Sequence, residues 1–212
     1  MNRDPRDNQL KLLKFAAAQG GYFTAAQALA SGYTYRQQHF HKSRGNWQEI
    51  EHGIYRLFIY PEMPHEDLIR WSLWSRNQKG EPQAIVSHDT ALALYELGDV
   101  MPGRIHLTVP PGFRKRVPGG CVVHKARLAP DDIAQRQGFK VTTPLRTIVD
   151  VADAHLAPEQ LQLALNDALS RGVIRRKHLL EKQMSETARR NIMNALNGLD
   201  DGDKHDAFYQ DI

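Results

Sequence analysis

Tyr35, Arg36, Gln37 and His39 crowd the two turns that follow Thr34, and side chains of this kind read base edges. A guanidinium matches the two acceptors of guanine, and a carboxamide matches the donor and acceptor of adenine. Thr34, Lys42 and Arg44 flank them as phosphate-gripping groups, and Arg56 follows close behind. Chemistry of this sort needs a short helix laid in the major groove. Two Thr-x-x-Gln boxes supply it, Thr24 with Gln27 and Thr34 with Gln37, because in a capping box the Thr hydroxyl and the Gln carboxamide satisfy the free N–H groups of a helix start. They predict helices over Ala25–Ala30 and Tyr35–Arg44, with Ser31, Gly32 and Tyr33 as the turn between. Phe40 is assigned to the core; Tyr35 fits either the core or the groove.

The neighbouring segments complete a DNA-binding module. Residues 8–19 carry Leu10, Leu13 and Ala17 at helical spacing and stop at Gly20-Gly21, which predicts a third helix packed across the pair. Residues 48–51 and 54–58 flank His52-Gly53, two residues that both tolerate left-handed φ, so they read as a hairpin or wing. Tyr60-Pro-Glu-Met-Pro64 marks a break, and the domain boundary is expected there.

Beyond it the pattern is mixed. A helix over 66–78, a strand over 83–86 and a helix over 88–97 capped by Ser87 lead to residues 104–109. There Ile105, Leu107 and Val109 alternate with Arg104, His106 and Thr108, as in a half-buried strand. Arg114, Lys115 and Arg116 follow in a loop before strand 121–125. From Arg104 to Arg127 six side chains are basic and none acidic, so this second patch could extend a DNA footprint, meet an acidic protein surface, or simply be solvated. After a strand at 139–141 comes a helix opened by Thr143 and Pro144 that carries Leu145, Ile148, Val149 and Ala152 at helical spacing, then helices over 158–171, 175–183 and 185–199. Arg146 and Asp150, four apart, read as an ordinary ion pair.

Composition narrows the partners. The 212 residues hold 28 basic and 24 acidic side chains, but five aspartates and one lysine fall in residues 199–212, leaving the rest at +8. That balance suits a polyanion, and the acidic tail is expected to be flexible. The lone Cys121 excludes disulfides and Cys-paired zinc and is expected to be a buried thiol. No run approaches a membrane span and no leader is evident, so the expected compartment is cytoplasmic. Catalytic patterns fail. His65-Glu66 finds Ile69 where a zinc helix needs a second His, no acid-x-Lys of a metal nuclease occurs, and Asp153 and His155 lack a nucleophile nearby. Ten histidines are scattered, with His39-x-His41 pointing about 200° apart on a helix.

Five stretches in fixed order resemble one family, the AbiEi-type antitoxins of bacterial type IV toxin–antitoxin operons. They are Ala18-Gln-Gly-Gly-Tyr-Phe-Thr-Ala-Ala-Gln27, His52-Gly-Ile-Tyr-Arg-Leu57, Val86-Ser-His-Asp-Thr-Ala-Leu-Ala-Leu-Tyr95, Ile105-His-Leu-Thr-Val109 and Thr142-Thr-Pro-Leu-Arg-Thr-Ile-Val-Asp150. The resemblance implies an N-terminal winged helix that represses its own operon and a C-terminal domain that counteracts a nucleotidyltransferase-like toxin. Many relatives run on into a nuclease-like extension, which this chain is too short to carry.

The expectation is therefore an α+β protein with three parts: a winged helix-turn-helix DNA-binding domain over 1–60, a mixed α/β antitoxin domain over 64–198 with a helical C-terminal half, and an acidic tail over 199–212. Its partners would be operator DNA with an inverted repeat and the cognate toxin. It would be a monomer or weak dimer, with no catalytic residue, cofactor or metal. Two other readings stand beside it. One is a single-gene winged-helix regulator whose larger domain senses a ligand; the other is a nuclease or phosphotransferase targeted to DNA.

Overall fold

The computed structural model describes residues 5–154 and 156–209, with side chains through residue 200; His155 lies outside the described residues. The chain divides into two compact units. The first is Met1–Ala84 with Gln135–Lys140, and the second is Ile85–Ala134 with Val141–Ile212. The division thus falls after the Tyr60–Pro64 break where the sequence puts its boundary, because the following helix packs with the first unit.

In the first unit the order is α1 (Pro5–Ala18), β1 (Tyr22–Thr24), α2 (Ala25–Ala30), α3 (Tyr35–Ser43), β2 (Trp47–Glu51), β3 (Ile54–Leu57) and α4 (Glu66–Trp74). Both capping boxes form, and Gly32 turns the chain between α2 and α3 at φ 101°. An added Cβ there would stand 2.3 Å from Asn8 Oδ1, so the close approach of α1 requires glycine as much as the φ does. The strands form an antiparallel sheet in the order β1-β3-β2. The third strand, β1, was not expected from sequence; three residues are too few to show alternation. At the hairpin tip only Gly53 takes positive φ, and a bulge between Glu49 and Glu51 absorbs the twist that His52 was expected to share.

Leu12, Ala16, Phe23, Ala28, Tyr33, Trp47 and Leu57 make the core of this unit. The inward stripe of α1 is Asn8, Leu12 and Ala16, with Leu13 half-buried at its edge against the same core; Leu10 is 58% exposed and Ala17 is exposed. This stripe and the expected one both fit a helical period, and only the neighbouring elements choose between them. At its end α4 stops at Trp74 rather than Gln78, because Ser75 Oγ accepts from Gln83 N and Ala84 N while Asn77 Oδ1 accepts from Lys79 N and Glu81 N. These side-chain bonds offer the backbone a turn in place of another helical rung.

The second unit contains β4 (Ile85–Val86), α5 (His88–Tyr95), β5 (Ile105–Val109), β6 (Cys121–Lys125), a 3₁₀ turn at Pro130–Asp132, β7 (Ile133–Gln135), β8 (Lys140–Thr142), α6 (Pro144–Asp153), α7 (Pro158–Ser170), α8 (Arg176–Glu181) and α9 (Glu186–Tyr209). Its sheet runs β6-β5-β4-β8-β7. Strand β4 pairs antiparallel with β5 and parallel with β8, and β5 pairs parallel with β6. Parallel neighbours need a crossover, and residues 110–120 provide it. Strand β5 is not half-buried as its alternation suggests: Thr108 on the polar face is buried, its hydroxyl donating to Ser87 Oγ at 2.8 Å. That bond, with one between Ser87 Oγ and His88 Nδ1, draws the hydroxyl of the N-cap Ser87 away from the first turn of α5, so the side-chain cap expected there does not form. Leu92, Ile148, Leu161, Leu165, Leu179, Ile192 and Leu196 build a helical core, and α9 continues past Leu199 into the acidic stretch. Cys121 is buried and its thiol is pushed up to about 11 by desolvation, so it is inert as a nucleophile at neutral pH.

The two candidate stripes of α1 separate by mutation. Leu12→Ala should cost about 2–5 kcal/mol of unfolding free energy in urea and Leu10→Ala less than about 0.5; equal losses would mean that the helix is rotated.

Candidate functional site

Helix α3 presents most of its surface to solvent. Tyr35 is 71% exposed, and Thr34, Arg36, Gln37, His39, Lys42 and Arg44 are exposed with it. Its inward side is narrow. Gln38 is buried, its Nε2 donating to Ala25 O at 3.3 Å and Tyr33 O at 3.4 Å, and His41 stacks on Trp47 with centroids 4.7 Å apart. Burial holds the His41 imidazole below its usual pKa, so it packs as a neutral ring. The helix is thereby fixed from behind by one carboxamide and one aromatic stack.

Several of the expected contacts differ in the structure. Phe40 is not core: it is 51% exposed, and the Arg44 guanidinium lies over its ring at 5.5 Å, a cation–π contact on the open face. Gln37 Oε1 accepts from Thr34 N at 2.8 Å and from Thr34 Oγ1 at 3.0 Å, so the carboxamide cannot also meet adenine with both atoms unless the cap opens. Lys42 is ion-paired with Glu49 of β2, and that bond holds the Glu49 carboxyl below its ordinary value. Arg56 is 9% exposed, bonded to Glu66 Oε1 at 3.1 Å and seated 5.8 Å from the Tyr22 ring centroid. It is a strut between β3 and α4, not a wing-tip phosphate ligand. Burial opposes ionisation of Glu66, but Tyr22 OH, Met63 N–H and Arg56 together hold its carboxyl below the usual range. Arg36, His39 and Arg44 remain on the face. Among the described residues no acid pairs with either arginine.

The loop with Arg114, Lys115 and Arg116 belongs to the second unit, where all three are exposed on the crossover between β5 and β6.

The second unit also assembles a polar cluster that reading along the sequence missed. His88, His106 and His124 converge from α5, β5 and β6. The rings of His88 and His124 stack at 3.5 Å and 11°, His124 Nε2 lies 3.3 Å from His106 Nδ1, and His106 Nε2 lies 3.9 Å from Asp89 Oδ2. His88 holds φ 52°, a left-handed conformation that a non-glycine residue adopts only where its surroundings enforce it. Burial and the neighbouring His124, His106 and Arg146 push His88 down to about 3, and burial lowers His106 and His124 as well. The one available clue was the polar face of β5, because His106 and Thr108 point the same way as His124 of the adjacent strand. Among the described residues no three His, Cys, Asp or Glu side chains are placed to hold a metal ion.

A second polar knot surrounds Arg146. Its Nε donates to Asp150 Oδ1 at 2.8 Å and its Nη1 to Asp132 Oδ2 at 3.3 Å, while Lys182 also pairs with Asp132. The expected i, i+4 pair is present, but both carboxylates are buried, which makes it a junction of the 3₁₀ turn, α6 and the chain after α8. Burial raises Asp150 to about 6 against the pull of Arg146.

These shifts fix a pH dependence. The three histidines titrate lower when folded than when unfolded, so the unfolded chain binds more protons and stability is lost as pH falls below about 6.5. Asp150, raised when folded, works the other way between its unfolded value and about 6 and offsets one histidine. From pH 7 to 5 the melting temperature should fall, and His88→Gln should shrink the slope by up to about 1.4 kcal/mol per pH unit. An unchanged slope in that variant would remove His88 from the acid-sensitive set.

Comparisons with known proteins agree with this architecture. The chain resembles the crystal structure of RV2827C protein from Mycobacterium tuberculosis with a TM-score of 0.52 at 17% identity, covering 93% of this chain and 78% of that one, a likeness of fold alone. The comparison with curated proteins gives no match. Residues 84–200, which begin where the second unit begins, match the AbiEi antitoxin C-terminal domain. With more than half of its length matched, the chain belongs to the AbiEi antitoxin family.

Proposed function

We propose that this protein is the antitoxin of a toxin–antitoxin operon whose first unit is a winged helix-turn-helix that binds and represses its own promoter. Family membership supports the antitoxin role. The observation that carries the DNA reading is the face of α3, where Tyr35, Arg36, His39 and Arg44 are exposed on a helix clamped from behind by Gln38 and His41. Aromatic, guanidinium and imidazole groups on a rigid helix suit base edges and phosphates, and the β2–β3 hairpin supplies the wing. The operator would be an inverted repeat, filled by two monomers or a weak dimer.

In the same reading the second unit counteracts a nucleotidyltransferase-like toxin. The protein performs no catalysis itself, acting by binding, and works in the cytoplasm. No helix among the described residues is long and apolar enough to cross a membrane. The exposed Arg114, Lys115 and Arg116 are the surface we assign to an acidic toxin face or to further DNA.

Two measurements test this. In gel shifts across salt concentration, Arg44→Ala should weaken binding to all duplexes and flatten the log–log salt slope by about 0.9, whereas Lys42→Ala, already neutralised by Glu49, should change it by much less. Arg36→Ala should instead relax preference for the native promoter over a scrambled duplex by about 1–3 kcal/mol. Wild-type protein that does not distinguish the two duplexes would end the repressor reading. For the second unit, co-expression should relieve growth arrest by the neighbouring gene product. Replacing Arg114, Lys115 and Arg116 together by Ser should weaken that relief if the loop meets the toxin.

A further inference from the structure

The first unit holds a cavity of about 550 Å³, open to solvent on one side, between α1, the inner edge of α3 and the strands of the hairpin. Its walls include Asn8, Leu13, Gln37, His41, Trp47 and Phe58. The volume lies in the range of small-molecule sites rather than packing defects. Its chemistry is unusual for this chain: 25% of all residues are charged, yet among the described residues no Asp, Glu, Lys or Arg lines it. The floor is apolar, from Leu12, Tyr33, Trp47 and Leu57, all buried. The rim is amide, from Gln9, Gln37 and Asn46, each exposed. Two large apolar side chains at the mouth, Phe58 at 74% and Ile59 at 78%, stand in solvent. At the α1 wall Asn8 is buried; its Nδ2 donates to Gly32 O at 3.3 Å, and its Oδ1 has no hydrogen-bond partner.

We propose that this cavity is an effector site for an uncharged, planar heteroaromatic molecule, and that its occupancy resets the affinity of α3 for DNA. The first clause stands on the cavity alone; the second rests on the DNA-binding reading above. A floor without charge excludes ionic ligands by desolvation, and carboxamides pair with the N–H and C=O edges of a heterocycle as they do with bases. Coupling follows from Gln37, which borders the cavity and caps the helix that carries Tyr35, Arg36 and His39. A ligand that draws on its carboxamide competes with that cap.

Quinazolin-4-one, titrated into the full chain, is a suitable probe, with naphthalene-2-sulfonate as a charged analogue of similar shape. The side-chain amide NMR signals of Gln9, Gln37 and Asn46 should shift with the lactam and not with the sulfonate. Filling the cavity with Leu13→Trp, or charging its rim with the solvent-exposed Gln9→Glu, should weaken the lactam by about tenfold or more. In fluorescence anisotropy the affinity for promoter duplex should change by about fivefold or more on saturation. Absence of shifts at millimolar lactam, equal binding by both variants, or equal binding of the sulfonate would overturn the site. So would a concentration-dependent dimer dissolved by Gln9→Glu, which would make the groove an interface between copies. If the lactam binds and duplex affinity does not move, the coupling is wrong; if the duplex never binds, it is the repressor reading that fails, and the amide shifts still decide the cavity.

Discussion

Trp47 is the contact on which the first unit turns. Its ring meets Phe23 edge-on at 4.9 Å and Tyr33 at 5.0 Å, and it lies flat on His41 at 4.7 Å. Those three partners come from β1, the turn before α3, and α3 itself, so one indole ties the sheet to the helix and to the loop that aims it. Aromatic pairs of this geometry add about 0.5–1.5 kcal/mol each beyond area burial. The consequence is functional: α3 needs only two inward side chains, Gln38 and His41, and the rest of a nine-residue helix is left for solvent or a ligand.

Charge in the same unit is organised to the same end. Lys42 with Glu49, Arg56 with Glu66, and Arg70 with Glu51 each join two different elements. Exposed pairs such as Arg70–Glu51 contribute little to stability, while the buried Arg56 would be costly to leave alone. Their value lies in holding pairs of elements in register. Arg36 and Arg44, at α3, have no acid partner among the described residues.

How much of this the residues themselves announce depends on the range of the interaction. Capping is local, and Thr24-x-x-Gln27, Thr34-x-x-Gln37 and Thr143-Pro144 mark their helix starts without error. Facing is not local. Leu10 and Leu12 are equally apolar, and the choice between them is made by Phe23, Ala28 and Trp47, which lie elsewhere in the chain. The same holds for Phe40, whose apolarity predicts burial although Gln38 holds the inward position through bonds to Ala25 and Tyr33. Arg56 looks like a wing cation until Glu66 is brought beside it. The histidine cluster is the extreme case, because residues 18 apart in sequence become neighbours only through the parallel pairing of β5 with β6.

That pairing also explains why the second unit concentrates polar groups in its interior. Each parallel strand enters from the same end, so the outward faces of β5 and β6 align His106, Thr108 and His124 in one block under α5. Covering such a face with a helix buries whatever side chains stand on it, and here it buries hydroxyls and imidazoles in place of aliphatics. Ser87 and Thr108 satisfy each other, His124 lies within hydrogen-bond reach of His106, and His88 stacks above them, so the imidazoles pack as neutral rings. A neutral state is therefore built into the packing: protonating His88 places a cation 3.5 Å from the His124 ring and in the field of Arg146.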